Sequence, residues 1–242
     1  MADAETLAAQ RSSCGRGGAM SAAASNAAIA ISTLSEARLE STARVLARAF
    51  RDNPLNLAVV GSAGSARRLR CNLHGMRASL RSGIRHAEAL TASLDGCVAG
   101  GLIAVPPGAY PLPAPGPLRQ LRCLLGQGWG VAARWGEVFE SLRAHHPDTP
   151  HWYLGTLGVD PPLQRRGVGA ALLRAWIERV DGSRTPAYLE TDCESNLPFY
   201  ARVGFEPVGR IEVLDVPIWR MQRPVQGRDF ERGASAVESP GG

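Results

Sequence analysis

The segment from His151 to Ala170 constrains this chain more than any other. His151 to Val159 carries Trp152, Tyr153, Leu154 and Leu157 and reads as a strand, which Asp160-Pro161-Pro162 ends. Gln164-Arg165-Arg166-Gly167-Val168-Gly169-Ala170 follows and opens a helix. Its inward stripe of Val168, Ala171, Leu172, Ala175, Trp176 and Val180 recurs at three- and four-residue spacing. A strand, a glycine- and arginine-rich turn and a helix start, in that order, make an anion site. The first-turn amides of a helix have no intrahelical acceptor, and the helix dipole favours negative charge beside them. Gly167 and Gly169 let a phosphate reach the backbone with no side chain in between, and Arg165 and Arg166 add formal charge.

Two kinds of ligand use such a site. A dinucleotide fold places G-x-G-x-x-G directly after its strand. Here the sixth position is Leu172, and seven residues, Asp160 to Arg166, separate Val159 from Gly167. That connection is too long for the tight dinucleotide turn, and Glu190, some twenty residues onward where a ribose ligand would fall, does not compensate. Composition removes other chemistries. All 27 positive charges are arginine and the chain has no lysine, so a P-loop lysine, a Schiff-base lysine and a lysine general base are excluded. The net charge of +5 suits a protein that takes polyanionic small molecules. The run Arg67-Arg68-Leu69-Arg70 with Arg77, Arg81 and Arg85 is spaced as a solvated helical face, which disfavours nucleic acid as the partner. No run of eighteen apolar residues occurs, so a spanning helix is not expected. The 5 cysteines are odd in number and have no CxxC spacing, as for reduced thiols of a cytoplasmic protein.

Residues 1–26 and 224–242 lack hydrophobic periodicity and read as a disordered leader, with Met20 an alternative start, and a disordered tail. Between them, 27–223 reads as one domain. Ala28 to Ile31 is a short strand, and Ser35-Glu36 opens a helix with Leu39, Ala43, Leu46 and Phe50 on one face, broken at Asp52-Asn53-Pro54. A second helix is expected over Ala66 to Arg81. His86 to Ser93 and Cys97 to Val105 form a hairpin across Leu94-Asp95-Gly96. Pro106 to Pro117 is a loop suited to covering a site, and Leu118 to Arg143 is helical with an interruption near Gly126 to Gly130. His145, His146 and His151 resemble metal ligands, but no carboxylate or cysteine stands at a suitable spacing, and no metal is expected.

Downstream, Ala187-Tyr188-Leu189-Glu190-Thr191 reads as a strand. Asn196-Leu197-Pro198-Phe199-Tyr200 and Val203-Gly204-Phe205 then lead to a final strand pair. With the Q-x-x-G-x-G/A turn and the Val159-Asp160-Pro161 before it, this half resembles the GNAT N-acetyltransferase superfamily. The runs His146-Pro147, Trp152-Tyr153-Leu154, Leu189-Glu190-Thr191 and Asn196 to Tyr200 are similar to its puromycin N-acetyltransferase branch. The likeness is good from about 145 to 223 and weak before. It implies an α/β GNAT fold, a mixed central sheet with a splay between two parallel strands, flanked by helices. It also implies acetyl-CoA as co-substrate and transfer to a small-molecule amine by direct attack in a ternary complex. A protein N-terminal or lysine acetyltransferase and a non-catalytic acyl-CoA sensor are the alternatives, and a homodimer is compatible.

The resemblance also distributes roles. Backbone groups of Leu157 and Val159 would pair with the pantetheine arm, with Gly158 at the splay. Gln164 belongs to the signature turn, and the amides of Arg165, Arg166, Gly167, Val168, Gly169 and Ala170 would hold the pyrophosphate. Asn196 would bond the pantetheine or its phosphate arm. Tyr200 matches the general acid, a phenol whose ordinary pKa of about 10 suits protonation of a thiolate. Glu190 is the first candidate for the base, sharing a strand face with Tyr188 and Asp192, and Asp192 is the reserve. Cys193 has no activating histidine nearby in sequence and reads as a bystander thiol.

Overall fold

A computed structural model describes residues 28–61, 64–113 and 116–225. The expected leader and most of the expected tail lie outside these residues. Seven strands form one sheet in the order β1-β2-β3-β4-β5-β7-β6. They are β1 (Ile29–Thr33), β2 (Glu88–Leu94), β3 (Cys97–Val105), β4 (Trp152–Val159), β5 (Ala187–Thr191), β6 (Glu206–Val213) and β7 (Val216–Arg223). β4 and β5 run parallel and every other neighbouring pair is antiparallel, so the sheet is mixed as expected. The β2–β3 turn places Asp95 and Gly96 both at positive φ, the backbone a two-residue hairpin needs, which is what the Asp-Gly pair signals.

The helices are α1 (Glu36–Ala49), α2 (Pro54–Val60), α3 (Ser65–His86), α4 (Pro117–Gln127), α5 (Trp129–Ala144), α6 (Val168–Ser183) and α7 (Leu197–Ala201). Two differ from expectation. Pro54 ends one helix but also starts another: it is the first residue of α2, where its missing N–H costs nothing. α3 runs past Arg81 to His86, because Gly83 sits against Ile103 in the core and Arg85 and His86 complement the dipole at its C-terminus.

Helices cover both faces. On one, Leu172, Leu173 and Trp176 of α6 pack with Tyr200 of α7 and with Leu102, Leu154 and Leu189 of the central strands. On the other, α1 and α3 bury Leu39, Leu46 and Leu80 against Ala89 and Ile103. α2 and α5 bury Val59, Val60, Val131 and Val138 against Val213, Val216 and Ile218 of β6 and β7. Cys71, Cys123 and Cys193 are free thiols, whereas Cys97 is disulfide-bonded, against the expectation of reduced cysteines throughout.

Candidate active site

β4 and β5 pair only through Trp152, Tyr153 and Leu154 with Ala187, Tyr188 and Leu189, and then part. The cause lies on the other edge of β4. Opposite Ile103 and Ala104 the register jumps from Thr156 to Leu154, so Gly155 is an extra, bulged residue. Trp152 N donates to Pro186 O on the β5 side at 2.9 Å, while Asp160 N donates to Ala99 O on the β3 side at 2.8 Å. Counting back by twos from Asp160, Gly158 and Thr156 also turn towards β3. Leu157 and Val159 therefore present their N–H and C=O groups to the gap. A one-residue bulge has converted a strand hydrogen-bonded on both sides into one with an open edge.

Gly158 was expected where the strands part, but they part at Gly155. Gly158 instead serves α1. A Cβ there would come within 2.7 Å of Leu46 Cδ2, 3.0 Å of Phe50 Cε2 and 3.1 Å of Ala49 Cβ, so only glycine admits the helix this close. Arg48 of α1 also grips Asp160, its Nε and Nη2 donating to the two carboxylate oxygens at 2.9 and 2.5 Å. This fixes the start of the turn against the helix.

Past Asp160 a 3-10 turn (Pro161–Leu163) leads to Gln164, whose Nε2 donates to Val159 O at 3.3 Å. Arg165 has φ +61° and Gly167 φ +84°, both left-handed, and Gly167 is the N-cap of α6. Among the described residues, no backbone carbonyl accepts from the amides of residues 165–170, and Ala171 N is the first to close a helical bond, to Gly167 O. The outer faces of Arg165 and Arg166 are exposed while Val168 is buried and anchors the helix. A nest of free amides at the start of a 16-residue helix, with two arginines beside it, can hold a diphosphate.

The far wall of the gap is β5 and its sequel. Asn196 ends a 3-10 turn (Glu194–Asn196), with Nδ2 donating to Thr191 Oγ1 at 3.3 Å. Tyr200 packs its ring against Phe199 and Phe205 in the core, 8% exposed. Burial, and then the Asp192 carboxylate and Cys193, push its phenol well above the ordinary value, so it stays protonated and available as a donor. Cys193 is pushed up to about 11, first by burial, which keeps it a thiol and rules out easy acylation of a thiolate there. Asp192 is committed elsewhere: its carboxylate accepts from Leu55 N at 3.0 Å and Asn53 Nδ2 at 3.3 Å, capping the start of α2. The reserve base is thus a structural cap.

Glu190 does share a face with Tyr188, opposite Leu189, and its side chain is 6% exposed. Around it lies a cluster that sequence reading did not assemble. Tyr110 of the 106–116 loop stacks on His146 with ring centroids 3.7 Å apart, and Tyr153 and Tyr188 meet the same imidazole edge-on. Burial, then the Glu190 charge, raises the phenols of Tyr110, Tyr153 and Tyr188 above their ordinary value. The three histidines do not converge on a metal: His145 turns to Ser141 O, and no metal-binding group of His, Cys, Asp and Glu occurs among the described residues. The sequence signal for this cluster was the density of histidine between 145 and 151, followed by Tyr153.

An open strand edge beside a nest of helix-start amides offers a main-chain surface for a pantetheine arm and its diphosphate, which points to the acyl-CoA-dependent transferases as a class. The profile of the Acetyltransferase (GNAT) family matches residues 73–205, and the chain belongs to that family. Among solved structures, the histone acetyltransferase HPA2 and related acetyltransferase from Corynebacterium glutamicum is 24% identical with a TM-score of 0.62, over 81% of this chain and 96% of that one. The PaiA N-acetyltransferase from Thermoplasma acidophilum, in complex with coenzyme A, is 14% identical with a TM-score of 0.52, over 81% of this chain and 99% of that one. At these identities the likeness is one of fold. N-alpha-acetyltransferase RimI of Mycobacterium tuberculosis is 41% identical over 54 residues, 22% of this chain; the chain spans about a third, 34%, of that curated relative's length. Among the described residues no helix is long and apolar enough to cross a membrane.

Proposed function

We propose that residues 27–223 form one N-acetyltransferase domain that moves acetyl from acetyl-CoA to the amine of a small molecule by direct attack in a ternary complex. The observation that carries this reading is the bulge at Gly155, which opens the β4 edge next to the free amides of residues 165–170. In the proposal the pantetheine arm adds to that edge as a strand would, through Leu157 and Val159. The pyrophosphate rests on the amides of Arg165 to Ala170, and Asn196 bonds the arm from the β5 side. An amide of the β4 edge polarises the thioester carbonyl, Glu190 takes the proton of the incoming ammonium, and Tyr200 donates to the departing sulfur.

A small acceptor is favoured over a protein because Tyr110, from the segment after β3, stacks on His146 beside Glu190 and covers that side of the cluster. The stretch shared with RimI supports a second reading, acetylation of a peptide N-terminus. Calorimetric titration with CoA tests the foundation, with saturable binding expected. Thiol release over a panel of small amines and short peptides then tests the acceptor. Turnover only with peptides would replace the small-molecule reading, and the absence of CoA binding would remove both.

A further inference from the structure

His151 Nδ1 lies 2.6 Å from Thr149 O, an acceptor only, so that nitrogen carries the proton and Nε2 is left with a lone pair. His151 Nε2 in turn lies 2.9 Å from His146 Nε2. Two lone pairs do not sit at that distance, so His146 is protonated at Nε2 and donates. Its Nδ1 then faces Glu190 Oε1, 3.8 Å away, with a second lone pair. Both of these atoms are buried and neither has a hydrogen-bond partner. Chain geometry has set two buried acceptors against each other. A proton between them satisfies both at once, whereas the Tyr153 and Tyr188 phenols beside Glu190 can serve only the carboxylate oxygen.

We propose that His146 and Glu190 share one proton slot, empty in the resting state, that receives the proton of the acceptor ammonium, and that His151 fixes the tautomer which keeps the slot open. The inference rests on the transferase reading. In the step, an N–H bond of the ammonium breaks, leaving its electron pair on nitrogen for attack on the thioester. The proton passes to Glu190 and forms an N–H bond at His146 Nδ1. The pair moves from a net charge of −1 to zero, and water removes the proton once the amide has left. The imidazole thus acts through Glu190 and is a positioning and relay group.

Every element around His146 is consistent with this. Tyr110 from the loop, Tyr153 from β4 and Tyr188 from β5 face it as neutral phenols. His151 is held neutral, first by burial. Arg220 of β7 lies opposite Glu190 in register but sends Nη1 to His145 O at 3.1 Å. Among the described residues His146 is the one ion-pair contact of Glu190 within 4.0 Å. From α5, Glu140 and Arg143 act on the Tyr110 phenol and bond to each other.

Nitrogen-15 spectroscopy of the imidazoles in the full-length protein, without substrate, tests the slot. The expected result is a proton at His151 Nδ1 and at His146 Nε2, with none at His146 Nδ1. A His146 protonated at Nδ1 in the resting protein overturns the proposal. The second arm compares H146Q with wild type in thiol release, with CoA affinity as the check on folding. The expected loss in kcat/KM is about 100-fold, with CoA affinity unchanged and the acid limb of the pH profile displaced. Wild-type turnover with a superimposable H146Q profile overturns the relay alone, whereas no wild-type turnover with any amine removes the transferase reading and the relay's role with it.

Discussion

The two walls of the β4–β5 gap are built from different parts of the polypeptide. On the β4 side the proposed binding surface is main chain: open-edge groups of Leu157 and Val159, then the free amides of residues 165–170. On the β5 side stand the side chains to which the proposal gives the chemistry, Glu190 and Tyr200 with the His146 cluster, drawn from two loops, two strands and a short helix. A main-chain site tolerates changes of side chain as long as the backbone conformation survives. A side-chain site does not. Substitutions should therefore separate coenzyme affinity from turnover according to the wall they touch.

The largest expected effect is on the β5 wall. Tyr200→Phe keeps the ring against Phe199 and Phe205 and removes only the hydroxyl, so folding and CoA affinity should stay near wild type while turnover falls about 100-fold or more. Turnover within about threefold of wild type would take Tyr200 out of the chemistry and leave it a core aromatic.

The β4 wall is sharpened by Gly158→Ala, where the new methyl meets Ala49 Cβ at 3.1 Å as well as the movable end of Leu46. Either α1 lifts or β4 shifts. The expected cost is about 1–3 kcal/mol of stability, read by thermal unfolding, with CoA affinity weakened because Leu157 and Val159 move with the strand. Normal affinity in a destabilised variant would show that the open edge is not where the coenzyme binds.

The same contrast explains what could be seen in advance. The anion turn was legible because its requirements are local: a glycine at left-handed φ at position 167, small residues at the helix start, and arginines beside them, all within seven residues. The mixed sheet was implied only by the family resemblance, while most strands, the helix faces and the β2–β3 hairpin were legible from periodicity and from Asp95-Gly96. The bulge at Gly155 was not, because it is defined by register against β3, fifty residues earlier. The Glu190 cluster was not, because Tyr110, His146, His151 and Tyr188 come from separate segments of the chain that meet only in the folded structure. α2 was read as a mere break for a related reason. Its Asn53 N-cap makes no side-chain capping bond, and the missing acceptor comes from Asp192, 137 residues after Leu55.

That borrowed cap supplies the smallest and most discriminating test. Asp192 adjoins the proposed base in sequence and the proposed acid in space, yet both its oxygens are engaged with α2. Asp192→Ala should cost about 1 kcal/mol, as loss of a helix cap does, lowering Tm by about 2–4 °C for a domain of this size. Thiol release at saturating substrates should remain within about threefold of wild type. A collapse of turnover comparable to that of Tyr200→Phe, without matching loss of stability, would place Asp192 among the reacting groups. The β5 wall would then carry two carboxylates in the chemistry, and Glu190 would no longer be the one carboxylate that takes the amine proton.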